Sequence, residues 1–357
     1  MSLTGGRKFM LSGKKSYNGM TSYERIMTAL EGGKPNRVPV MAIVRGWAAR
    51  QVGFSISEIM ENVEKHVFSQ YYCARNFGYD AVLDLSGVHA EAEAMGCKIK
   101  YSENEIPAVV ENVVRDYKTD LSKLKLIDPN KDGRLPLIIE GIRRLKSLCK
   151  NDIAVIAYLE APFRLAAMLR GNNIYRDILK KKNEIKELLE ITFLNQLIYG
   201  AALVNAGADI IEVSDPTSSG DIISRDQWLE FGYIYTKRLI NELKKTEIKL
   251  YLHICGDTSD RLDTFVELGI DGMSLDEKVD LGYAREVIGE KICIIGNVSP
   301  THLAYNSPDE IREESKNCIE KTGKSGNYIL CSGCLVGIET PSENIKAMVD
   351  TARNYYY

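Results

Sequence analysis

Short runs of near-continuous apolar residues recur eight times along the chain, and most of the stretches between them carry apolar residues at helical spacing. The runs fall at 38–44, 81–85, 153–159, 209–213, 249–253, 272–275, 292–295 and 328–331. A strand that is apolar at every position is buried on both faces, as parallel strands are. Helical periodicity marks Ser22–Leu30, 57–77, 172–206, 224–244, 258–268, Leu281–Ile288, Pro308–Thr322 and 342–354. Asp257-Thr258 and Ser307 to Glu310 look like helix starts, and Gly207 ends a helix before the fourth run. Eight strands alternating with helices predict an α/β fold, a (β/α)₈ TIM barrel, in preference to a doubly wound open sheet. Between the second and third strands an excursion, 97–150, contains a hairpin and a helix near 134–149, and reads as an insertion in a barrel loop. Residues 1–20, rich in Gly, Lys and Ser, read as a flexible tail, and 21–357 as a single barrel domain.

Composition narrows the function. The 357 residues are 45% hydrophobic and 27% charged with a net charge of −3, an ordinary globular profile. A near-neutral chain gives no support for a nucleic-acid surface. No apolar run is read as a membrane span, and no secretory signal is visible. Cysteines scattered without a short-chain disulfide pattern fit a reducing cytoplasm.

In a barrel the active site forms at the C-terminal ends of the strands. That rim here carries Arg45, Asp84 with Ser86, Glu160, Ser214 with Asp215, His253 with Cys255, Asp276 with Glu277, Asn297, and Cys331 with Cys334. One imidazole and two thiolates are good Zn²⁺ ligands, and a three-ligand set leaves a position open for chemistry. The competing readings are small buried hydrophobes, since the chain has 8 cysteines, and a redox pair in Cys331-Ser332-Gly333-Cys334. Ligands drawn from separate strand ends favour a catalytic ion over a structural one.

Several segments in order resemble the uroporphyrinogen decarboxylase superfamily: Glu24-Arg25-Ile26 through Val40, Ala161 to Ala166, Gly207-Ala208-Asp209, 271–297, and Glu339 to Lys346. The resemblance spans about residues 21–354. The decarboxylase branch would carry an early arginine motif and an aspartate after the second strand. Here the first stretch is 42–50, without that motif, and the second position is Gly87. The chain is therefore not expected to bind a tetracarboxylate porphyrinogen. The segment Glu91 to Cys97 is instead similar to the cobamide-dependent methyltransferases, which implies zinc held by His253, Cys255 and Cys334. Cys334 is favoured over Cys331 by its distance to Thr340-Pro341, although Cys331 could substitute.

The resemblance implies transfer of a methyl group between a corrinoid and a thiol or a small methylated substrate such as a methyl ether or amine. Glu160, Asp215 and Asp276 are the catalytic candidates, and Asp84 and Asn297 the candidate cofactor contacts. The Asp-x-His-x-x-Gly corrinoid signature is absent from the sequence, so the cobamide is expected on a partner protein or free as methylcobamide. His89 reads as an ordinary loop histidine within reach of the rim. The alternatives are a decarboxylase of tetrapyrrole metabolism and a non-catalytic corrinoid or tetrapyrrole binder.

Overall fold

The computed structural model describes residues 19–84, 88–322 and 326–355. The expected tail therefore lies almost wholly outside the described residues, as do Ser86 and Gly87.

In chain order the strands are β1 (Ala81–Leu83), β2 (Lys98–Lys100), β3 (Ala108–Glu111), β4 (Ala154–Glu160), β5 (Ile210–Ser214), β6 (Lys249–Ile254), β7 (Gly272–Leu275), β8 (Cys293–Val298) and β9 (Tyr328–Ser332). Seven of them form one curled parallel sheet in the order β1-β4-β5-β6-β7-β8-β9, and β2 and β3 pair as a separate antiparallel hairpin. The hairpin and the helix Leu135–Cys149 follow β1 and precede β4 in the chain.

The first expected strand is not a regular one. Within 38–44 only Val40 makes a ladder bridge, to Leu330 of β9. Pro39 has no N–H to give, and the Val40 N–H goes to the Asp80 carboxylate at 2.9 Å rather than to a neighbouring backbone carbonyl. The segment still joins both edges of the sheet: the Met41 N–H donates to the Leu330 carbonyl, and the Asp80 N–H to the Val40 carbonyl.

Two apolar layers result. Inside the curl, Leu83, Ile156, Ile210, Tyr251, Ile295, Ile329 and Cys331 meet Ile26, Ala29 and Leu30 of the helix Ser22–Leu30. That helix starts with a capping box, the Thr21 hydroxyl accepting from Glu24 N–H while the Glu24 carboxylate accepts from Thr21 N–H. Outside the curl, the other face of each strand packs on the surrounding helices. Buried Asp80 ties the N-terminal end together, accepting from both Arg37 nitrogens, Val40 N–H and the Ser22 hydroxyl.

The helix Lys182–Asn205 revises the expectation of no span-length apolar segment: its 24 residues are long and apolar enough to cross a membrane by length and composition. Half of its most apolar window is buried, and it packs on Pro162–Arg170, Ile234–Leu243 and β4, as a core helix does.

Candidate metal centre

Parallel register sets four side chains level with one another across adjacent strands. Glu160 of β4 pairs with Ser214 of β5, Ser214 with His253 of β6, and His253 with Ser274 of β7. Two residues earlier, Tyr158, Glu212 and Tyr251 form the next level down.

His253 reaches Cys255 with Nε2 at 3.1 Å, and the Cys255 and Cys334 sulfurs are 3.1 Å apart. The three donor atoms lie within 4.8 Å of one another. The other imidazole nitrogen, Nδ1, is 3.0 Å from the Ser274 hydroxyl, which leaves Nε2 to face the sulfurs. Holding the second nitrogen of a ligand histidine in this way helps fix its ring plane. A tetrahedral zinc site has ligand–ligand edges of about 3.6–3.8 Å, so small side-chain rotations would fit this donor set to the ion. Cys334 sits in the turn after β9, where the Gly333 N–H donates to the Val298 carbonyl. A Cβ at Gly333 would lie 2.7 Å from the Glu277 nitrogen, so glycine lets this turn close against the loop after β7.

The thiols are already polarised. The Cys255 hydrogen bond, more than any other effect, draws Cys334 down to about 4; burial opposes it and His253 assists. Cys255 is driven far up, first by that same hydrogen bond and then by burial. For His253 burial is the largest influence and lowers the pKa, but the Cys334 hydrogen bond and charge, with Glu212, carry it above the usual value.

Beneath the donors, Arg45 donates to Glu212 Oε2 at 2.7 Å and Tyr251 donates to the same oxygen at 2.8 Å. The Arg45 guanidinium lies 4.7 Å over the Tyr158 ring. Burial pushes Glu212 up, but Arg45 and then His253 outweigh it and hold the carboxylate below its usual range.

The expected residues separate into groups. His253, Cys255 and Cys334 converge. Cys331 points into the apolar interior of the curl, with no exposed surface. Asp276 is close enough for its charge to act on His253 and Cys255, and its Oδ1 accepts from Lys278 N–H. Asn297 spends its amide on the Asp276 and Val279 carbonyls, so it braces the loop after β7. Asp215 has both carboxylate oxygens engaged by the Thr217 and Ser218 hydroxyls. Asp84 accepts the Tyr158 N–H. Glu160 is fully buried beside Arg164 Nε at 3.6 Å and His89 Nδ1 at 3.9 Å, so His89 does reach the rim. Burial drives His89 down to about 4, and it is neutral there.

Three contributors were missed as site residues in the sequence: Ser274, Glu212 and Glu91. Glu91 is buried and accepts the Glu160 N–H at 3.0 Å, which brings two carboxyls together. Ser274 and Glu212 lie inside runs read as strands, and period-two alternation from Ser214 would have placed Glu212 on the inward face, as alternation from His253 places Tyr251.

Residues 21–355 match the family model described as uroporphyrinogen decarboxylase (URO-D). The chain belongs to that family. It is 30% identical to a methylcobamide:CoM methyltransferase of Methanosarcina acetivorans, over 95% of this chain and 100% of the relative. It is 28% identical to a uroporphyrinogen decarboxylase of Trichlorobacter lovleyi, over 91% and 97%. A solved methyltransferase from Methanosarcina mazei superposes with a TM-score of 0.86 at 27% identity, covering 94% of this chain and 99% of that one. Within the family the chain thus resembles the cobamide-dependent methyltransferase branch.

Proposed function

We propose that this protein is a zinc-dependent methyltransferase that moves a methyl group between a corrinoid and a thiol or small methylated substrate. The observation that carries the reading is the convergence of His253, Cys255 and Cys334, with donor atoms within 4.8 Å. The names of the methyltransferase relatives support it. Zn²⁺, when bound, would supply Lewis acidity that keeps a substrate thiol deprotonated or polarises a leaving heteroatom.

The chain's own residues would do the rest. Ser274 orients the imidazole. Glu212, kept ionised by Arg45, would lie one level beneath the donor set as the counter-charge of that guanidinium. Asp276 and Glu160 are the carboxylates we place nearest the reacting groups, with Asp215 shaping the loop between them. Asp84 and Asn297 would support the cofactor-facing rim through backbone contacts. The corrinoid would come from a partner protein or as free methylcobamide, in the cytoplasm. We read 21–357 as one (β/α)₈ barrel domain, with 38–44 as its first strand, between β9 and β1, and 97–150 as an insertion near its mouth.

The decarboxylase reading has relatives in its favour, yet Arg45 is committed to Glu212 and is not offered to substrate carboxylates. Methyl transfer from methylcobalamin to thiols, followed by cobalamin absorbance alongside zinc analysis, tests the proposal. One equivalent of zinc with methyl transfer that Cys334→Ala abolishes is expected. A metal-free, fully folded protein releasing carbon dioxide from uroporphyrinogen would overturn it.

A further inference from the structure

The spacing Cys331-Ser332-Gly333-Cys334 suggests a redox pair, but the fold gives Cys334 a different partner. Cys331 is buried within the curl, while the Cys334 sulfur lies 3.1 Å from that of Cys255. Of the 8 cysteines, Cys255 and Cys334 are part-exposed and all the others are buried. Buried structural thiols are inert, and attack by oxidants follows exposure. An oxidant entering from solvent thus meets one pair of thiols, and the two members of that pair touch.

The same two atoms have two incompatible uses. A tetrahedral zinc site sets its donors about 3.6–3.8 Å apart. The sulfurs already lie inside that edge at 3.1 Å, and about 1 Å of further approach by side-chain rotation brings them to the bond length of a disulfide. A metal takes thiolates as ligands, so a sulfur that has joined a disulfide is lost to the donor set.

We propose that Cys255 and Cys334 form an oxidative modification site, which a hydroperoxide closes into a disulfide with loss of the metal and which an external thiol reopens. One cysteine sulfur attacks a peroxide oxygen; the O–O bond breaks, water leaves, and a sulfenic acid forms. The second sulfur attacks the first; the S–O bond breaks, a second water leaves, and the S–S bond forms. Two thiols give up two electrons and two protons to one hydrogen peroxide. A thiol already in contact resolves the sulfenic acid before further peroxide can carry it to sulfinic acid. Loss of metal rests on the zinc reading; the disulfide does not.

The test is intact-mass spectrometry of the full chain, zinc-loaded and zinc-stripped, after treatment with hydrogen peroxide. The stripped protein should lose the mass of two hydrogens, and peptide mapping without reductant should join the Cys255 peptide to the Cys334 peptide. The zinc-loaded protein should close about ten-fold more slowly, because its thiolates are held by the metal. A chromogenic chelator should then record zinc released in step with the disulfide, and dithiothreitol should restore both thiols and zinc uptake. Cys331→Ala should close as the parent does, whereas Cys334→Ala should form no disulfide and gain oxygen at Cys255. Should Cys334→Ala fail to fold, the crosslink map of the parent decides the partner. A disulfide to Cys331, gain of oxygen without a crosslink in the parent, or a complete disulfide with all zinc retained would overturn the proposal. Closure between Cys255 and Cys334 in a protein that takes up no zinc would support the pair and count against the zinc reading.

Discussion

Ser274 Oγ lies 3.0 Å from His253 Nδ1, on the strand next to the histidine and level with it in the register. This hydroxyl contacts the nitrogen of the His253 ring that faces away from the two sulfurs. Ser274→Ala leaves that nitrogen buried without its partner and frees the ring. Zinc affinity should fall about 10- to 100-fold, the usual effect of removing such support. Chelator competition measures it, and an unchanged affinity would show that ring orientation is set elsewhere.

The two C-terminal cysteines should part company. Cys334→Ala removes a donor, so metal analysis should return well under half an equivalent of zinc. Cys331→Ala trims an interior sulfur and should keep the full equivalent, at a stability cost on the order of 1 kcal/mol. The reverse pattern would move the ligand to Cys331.

Asp80 is buried and serves two arginine nitrogens, a backbone N–H and a hydroxyl. Asp80→Ala strands the Arg37 charge, and removing one partner of a buried pair costs about 3–5 kcal/mol. Urea denaturation should show a large drop in midpoint, while zinc binding by protein that remains folded is retained.

Burial, the largest influence, raises Glu160 from 4.5 to about 7. The folded protein therefore holds this proton more tightly than the unfolded chain does. Its contribution to stability is fully present below about pH 4.5 and is lost as pH rises through about 7. Glu160→Gln should flatten the stability–pH curve over that window and gain relative to the parent above it. Parallel curves for the two proteins would place the titration on another group, such as Glu91, which burial also raises.

Much of this arrangement was legible in the chain. The runs from β4 to β9 are apolar at nearly every position because both faces are covered, and that pattern survives without neighbours. His253 and Cys255 declared themselves by spacing at a strand end. The first strand was less legible because its irregularity comes from a side chain 40 residues away: Asp80 takes the Val40 N–H. The helices Arg45–Gln51, Pro162–Arg170 and Pro300–Tyr305 escaped notice because they are short, and two of them open on proline, which reads as a break although it suits a first turn. Glu91 and Glu160 could not be paired from sequence, since their contact depends on how the segment after β1 folds back over β4.

Cys334 and the residues from Leu335 to Ile338 belong to one continuous stretch of backbone. A candidate metal donor, Cys334, and one wall of a cavity of about 220 Å³ are thus inherited together. Drift in this stretch that reshapes the wall also displaces a sulfur, whereas Ile56, Met60 and Ile106 on the facing side carry no such double duty. Substitutions on that facing side should therefore reshape the cavity while leaving the Cys334 sulfur in place.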